Sequence, residues 1–185
     1  MGIEIEKKYR IADRESRARI VERLHEYGAE FAYEHFEENY LHRGGVLDER
    51  GATLRLRKIG KETIFTYKEK IKSDDDIKRK IEYETHVADV QEIERIIEAL
   101  GFRLDVIYEK RRQTWHFDKV EVVLDELPFG LYMEIEGEAE EIERAEFLLE
   151  IQDLEIESRG YPRLAKKYGK LNDKVFEARF DRKAI

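Results

Sequence analysis

The chain has 185 residues, 41% of them hydrophobic and 42% charged, with a formal net charge of −8 and no cysteine. Ten Tyr and nine Phe within that apolar share suit a single domain spanning 1–185 with a proper core, and argue against disorder. The negative balance excludes general attraction to long nucleic acid or to an anionic membrane, and the missing cysteines exclude disulfides, thiolate metal sites and cysteine nucleophiles.

No stretch is apolar enough to span a bilayer and no leader pattern is present, so the expected location is cytoplasmic. The opening Met-Gly is no myristoylation signal, because Glu6 stands where that motif takes Ser or Thr. Dense charge of both signs with two Met fits a heat-adapted protein.

In chain order, "IEIEKKYRI" opens a strand over Gly2–Ile11 with Glu4, Glu6 and Lys8 on one face and Ile3, Ile5, Tyr9 and Ile11 on the other. "DRESRARIVERLHEYGA" reads as a helix capped by Asp13, apolar along Ala18, Ile20, Val21 and Leu24, and stopped by Gly28. Strands are expected at Glu34–His42, Ala52–Ile59, Glu62–Lys70 and Arg79–Val87. The acidic "SDDDIK" at 73–78 reads as a solvated loop. A second helix, "DVQEIERIIEALG", has an Asp89/Glu92 capping pair, a stripe of Ile93, Ile96, Ile97 and Leu100, and Gly101 at its end. Strands follow at Leu104–Phe117, Val120–Glu126 and Leu131–Glu138, then a helix in "EEIERAEFLLEIQ" and a short one in "YPRLAKKYG". Short turns such as "RKIGKE" and "FDKVE" imply antiparallel hairpins. The class is α+β, and eight strands can close into a small β-barrel with the amphipathic helices packed outside.

The charges alternate strand after strand. "TLRLRK" sets Arg55 and Arg57 against Leu54 and Leu56, and "FTYK" sets Thr66 and Lys68 against Phe65 and Tyr67. "KIEYE" sets Lys80, Glu82 and Glu84 against Ile81 and Tyr83; "KRRQTWHF" puts Lys110, Arg112, Thr114 and His116 on one side. "VEVVLDE" adds Glu121 and Asp125 opposite Val122 and Leu124. The helices need the apolar rows, which leaves the charged rows facing one another inside. Such an interior has to be wet, internally paired or filled by ligand. The signs are also sorted, with carboxylates on the first and last strands and cations on the middle ones, an order that suits a polyanion held with metal ions.

At this point the sequence resembles the CYTH superfamily of triphosphate tunnel metalloenzymes. Glu4-x-Glu6-x-Lys8 matches its ExExK signature, followed in order by "ATLRLRK", "TYK", "KIEYE", "EKRR" and "VVLDELPFGLYMEIE", with "SRGYPRLAKKY" similar to the start of its C-terminal helix. The family places Arg ahead of its Glu-x-Glu pair where this chain has Lys80, which carries charge without the bidentate fork. Gly160 stands before Tyr161 where the family often has Ser. The resemblance implies an eight-stranded antiparallel barrel, open as a tunnel, that binds a small-molecule triphosphate with Mg²⁺ or Mn²⁺.

On that footing Glu134 and Glu136 are expected at the core of a metal site, with Glu4, Glu6 and Asp125 as further ligands, since carboxylate oxygens suit these hard cations. Arg55, Arg57, Lys68, Lys80, Lys110 and Arg112 would grip phosphoryl oxygens, and Glu82 and Glu84 would line the tunnel. Lys8, with Glu4 and Glu6, is the expected catalytic group, beside the terminal phosphate. Neither a Ser-His-Asp nor a Cys-His constellation is present, and phosphoryl transfer requires none. The five histidines lack metal-ligand spacing, which disfavours zinc, and His116 reads as structural. Three functions follow: a metal-dependent hydrolase of inorganic, thiamine or nucleoside triphosphate; a class IV adenylyl cyclase; or a non-catalytic polyphosphate or nucleotide binder. Retention of all four metal carboxylates favours an enzyme. Apolar rows outside the barrel suggest a homodimer.

Overall fold

Strands that are charged on one side and apolar on the other need two environments, and the chain makes them by closing its sheet. The computed structural model describes residues 2–71 and 78–181, with side chains from 5–71 and 79–181. The barrel strands are β1 (Gly2–Ile11), β2 (Glu30–Arg43), β3 (Ala52–Ile59), β4 (Glu62–Ile71), β5 (Lys78–His86), β6 (Arg103–Phe117), β7 (Val120–Leu127) and β8 (Gly130–Glu136). They run in the order β2-β3-β4-β5-β1-β8-β7-β6, and β2 pairs back onto β6 to complete a closed antiparallel barrel.

Among the described residues, five helices pack against the barrel: α1 (Arg14–Glu26), α2 (Val46–Arg50), α3 (Val90–Ala99), α4 (Ala139–Leu148) and α5 (Tyr161–Tyr168). Ile20 and Leu24 of α1, with Ile142 and Ala145 of α4, bury the outward rows Tyr9, Ile11, Trp115, Val122, Leu124, Met133 and Ile135. Ile97 of α3 and Leu47 of α2 cover Ala52, Leu54 and Leu56. Tyr161, Leu164 and Ala165 of α5 pack on Leu41, Val106, Tyr108 and Tyr132. At about 25 cal/mol per Å² of apolar surface, these three patches are the principal favourable term of the fold.

The helix caps form as their sequences require. Asp13 accepts from the Ser16 amide at 2.7 Å and Asp89 from the Glu92 amide at 3.1 Å. The helix after β8 ends at Leu148, short of the expected stretch, because Glu150 turns left-handed at φ 55°. Strand β2 starts four residues earlier than its composition suggests, since it follows β6 from Glu30↔His116 to Arg43↔Arg103. Three elements lie beyond the sequence reading: α2, and the hairpin strands β9 (Lys170–Asn172) and β10 (Val175–Ala178). Strand β10 runs parallel to β6 at Val106–Tyr108, a stretch that β7 does not pair. The 73–77 part of "SDDDIK" lies outside the described residues, and Lys78 is described only as backbone.

Candidate functional site

The barrel encloses a cavity of about 670 Å³, within the range of small-ligand sites. Among the described residues, ten Lys or Arg side chains and seven carboxylates line it, so this part of its wall is cationic in a protein whose net charge is −8. Of the expected site residues, Glu6, Lys8, Arg55, Arg57, Lys68, Lys80, Glu82, Glu84, Lys110, Arg112, Glu134 and Glu136 all line it. Glu4 is placed on β1 opposite Lys80, but its side chain lies outside the described residues.

The two sheet halves hold their charges differently. On β3–β5, Arg55 donates to Glu82 and Glu84 at 3.1 Å each, Arg57 to Glu84 at 3.0 Å, and Lys68 pairs with Glu82 at 2.6 Å. The Nε donors of Arg55 and Arg57 are buried without a hydrogen-bond partner. Burial and then the neighbouring Arg55 push the Arg57 guanidinium below its ordinary value. Burial and then Arg112 push the Lys110 ammonium down to about 8. Lys70, which the sequence reading had passed over, is lowered by burial and then by Arg163, Lys80 and Lys8. Orphaned donors and crowded cations both call for anionic oxygen in the space between them.

Across the cavity, Glu134 accepts from Arg112 at 2.7 Å and pairs with Lys8 at 2.9 Å. Burial opposes its charge, yet Lys8 and Arg112 hold its carboxyl well below the usual range. Lys8 is 2% exposed, with its ammonium 3.5 Å from the centre of the Tyr161 ring. Glu6 pairs with Lys80 at 2.6 Å. Asp125 does not line the cavity: its oxygens accept from Arg112 at 2.8 and 2.6 Å and from the Tyr161 hydroxyl at 2.7 Å. From that position it orients Arg112 from behind.

The strand register brings Glu6 opposite Glu136, and Glu136 opposite Glu121. Three carboxylates thus stand in one row over β1, β8 and β7, with Cβ atoms about 5 Å apart at each step. Like charges so placed destabilise a sheet unless something bridges them. Hard oxygen donors in a row fit Mg²⁺ or Mn²⁺, although among the described residues no three His, Asp or Glu side chains already form a metal cage. Sequence reasoning put Glu121 on the inner face but gave it no role. It also missed Glu37, buried beneath Lys110 at 3.5 Å and bonded to His35 at 2.7 Å. The β2 alternation of His35, Glu37 and Asn39 carries that signal. Tyr161 had none, since nothing local says that a helix tyrosine would reach Asp125.

Comparison with known proteins places this geometry. A CYTH domain model matches residues 2–163. The PH1012 protein of Pyrococcus horikoshii has a similar structure, with TM-score 0.75 at 23% identity over 87% of this chain and 98% of that one. An adenylate cyclase candidate from Vibrio parahaemolyticus gives TM-score 0.70 at 19% identity, covering 89% and 98% of the two chains. An adenylyl cyclase candidate from Hippeastrum, described as having a dominant triphosphatase activity, gives 0.61 at 20% identity over 80% and 84%. At these identities the likeness is one of fold. No curated protein matches the chain.

Proposed function

The chain belongs to the CYTH domain family, and from that premise we propose that it is a divalent-metal-dependent triphosphatase that hydrolyses a small triphosphate inside the barrel. One observation carries the reading: a set of crowded or partly orphaned cations, Arg55, Arg57 and Lys110, lines one cavity with the carboxylate row of Glu6, Glu136 and Glu121. A polyanion carrying a bridging cation would satisfy both walls.

Arg55 and Arg57 would take phosphoryl oxygens with their guanidinium groups, each charge-assisted bond contributing about 1.5–3 kcal/mol. Arg112, fixed by Asp125 and Glu134, presents its fork in one orientation. Lys8 would neutralise the charge that grows on the transferred phosphoryl group, with the Tyr161 ring packed against its ammonium. Glu136, Glu121 and Glu6, with Glu4 and Glu134 beside them, are the residues that would hold Mg²⁺ or Mn²⁺. Such an ion supplies charge neutralisation at the phosphates and lowers the pKa of a bound water. Phosphoryl transfer asks for little more than positioning and neutralisation.

The test is incubation with Mg²⁺ or Mn²⁺ and, separately, inorganic triphosphate, thiamine triphosphate and ATP. Orthophosphate that vanishes in Glu134→Gln/Glu136→Gln supports the reading. Pyrophosphate with matching cyclic AMP from ATP would make the protein a cyclase instead. Tight binding with no product would make it a sensor.

A further inference from the structure

The inner row of β2 carries two rings that phosphate binding does not use. Tyr33 and His35 both line the cavity and stack on each other, with centroids 5.3 Å apart and planes 27° apart. His35 is tied from below by Glu37 at 2.7 Å, and Glu37 is fully buried. Burial works against its charge, but Lys110 and the His35 bond hold the Glu37 carboxyl well below its usual range, so the tether stays anionic. Tyr33 is 49% exposed, an uncommon state for a large ring inside a barrel.

A defect in the sheet puts it there. The β2–β6 register slips between Phe31↔Trp115 and Tyr33↔Thr114, so that Phe31 and Ala32 together answer one step of β6. Without the extra residue, Phe31 and Tyr33 would share one face. With it, Phe31 stays outside, edge-on to Trp115 at 5.0 Å, while Tyr33 joins the inner row. Bulges of this kind re-aim side chains beside functional sites. Tyr33 stands two strand positions from His35, which pairs with the phosphate-gripping Arg112. That offset is about 7 Å along the strand, about the length of the link between a phosphate chain and a ring.

We infer that Tyr33, backed by His35, is a stacking platform for a flat heteroaromatic ring at the end of the triphosphate, so that the substrate is a ring-bearing organic triphosphate rather than inorganic triphosphate. This rests on the triphosphate reading of the cavity. Stacking is sequence- and ring-tolerant, so the platform selects for a ring and leaves the choice among rings to other contacts.

The test measures binding by calorimetry without divalent metal, so that turnover does not intervene. The probes are inorganic triphosphate, ATP and thiamine triphosphate. The unaltered protein should bind at least one ring-bearing probe more tightly than inorganic triphosphate. Tyr33→Ala should reduce that preference roughly tenfold, and Tyr33→Phe should restore it. ATP against thiamine triphosphate tells which ring is taken. A preference that is absent in the unaltered protein, or that Tyr33→Ala leaves intact, overturns the platform while the triphosphate site stands. Failure to bind any of the three, both metal-free and with Mn²⁺ added, overturns both.

Discussion

Lys110 offers the sharpest test of the site, because one proton controls two properties with opposite signs. Its side chain is 4% exposed, and burial together with Arg112 brings its pKa to about 8, against about 10.4 in an unfolded chain. If a bound triphosphate fixes Lys110 in its charged form, affinity falls as pH rises through that value. The charged fraction drops from about nine-tenths at pH 7 to about one-tenth at pH 9, a tenfold loss of affinity. Stability of the ligand-free protein moves the other way. Above pH 8 the folded chain releases this proton more readily than the unfolded one, so stability rises with pH by about 1 kcal/mol between pH 7 and 9. The comparison is Lys110→Gln, which keeps a donor for Glu37 and Asp125 but does not titrate. Calorimetry with inorganic triphosphate and urea melts, both at pH 7, 8 and 9, read the two effects. Any ionisation of the ligand is common to both proteins and cancels in the ratio. Parallel pH curves for the two proteins would refute the assignment of Lys110 as a strained cation awaiting an anion.

Glu134→Gln should leave the 2%-exposed Lys8 without its counterion, which costs about 3 kcal/mol and lowers the melting temperature by about 6–12 °C; calorimetric melting checks it, and an unchanged melt would show that Lys8 re-pairs. Glu121→Gln relieves one member of the like-charged row without breaking any salt bridge among the described residues, so Mn²⁺ affinity should fall about tenfold while the metal-free melting temperature stays the same or rises; equal metal affinity by titration calorimetry would remove Glu121 from the metal wall. A Cβ at Gly169 would lie 2.5 Å from the carbonyl oxygens of both Ala165 and Glu177. Gly169→Ala should therefore cost about 1–3 kcal/mol and speed proteolysis of the β9–β10 hairpin, whereas a wild-type melt would mean that the close approach relaxes freely.

Much of the barrel was legible because a strand has only two faces. Once Tyr9 and Leu56 need a helix over them, Lys8 and Arg55 have nowhere else to point, and the alternation of one strand predicts the next. Closure was legible through the sorted signs, since carboxylates on β1 and β8 only make sense together if those strands meet, and Lys8 does pair with Glu134 across that seam. Contacts that depend on distant chain were not legible. Asp125 has the right parity for the interior, but Tyr161, 36 residues on, occupies it from a helix whose own sequence signals only a start at Pro162. Strand β10 escaped because "VFEA" is too short for periodicity, and it exists only where β6 exposes an edge beyond β7. The β2 bulge escaped for a related reason: a residue inserted against a partner strand leaves no mark on its own strand's composition.

The ligand-free charge pattern itself bears on how such a site works. Four carboxylates on the cavity wall are matched to cations that we assign to phosphate: Glu6 to Lys80, Glu82 to Lys68, Glu84 to Arg57, Glu134 to Arg112. Without ligand, these pairs keep buried charges from standing alone, which would cost several kcal/mol each. A triphosphate arriving with its cation would replace both halves of a pair at once, giving the guanidinium or ammonium a phosphoryl oxygen and the carboxylate a metal. The exchange conserves charge pairing at each step, so the interior need not be dry and unpaired in either state. It also makes metal and triphosphate binding reciprocal, since either alone strands half of the wall and both together satisfy it. Calorimetric titration of Mn²⁺ in the presence and absence of inorganic triphosphate should then show mutual tightening of at least fivefold, and independent binding would mean that the two walls act separately.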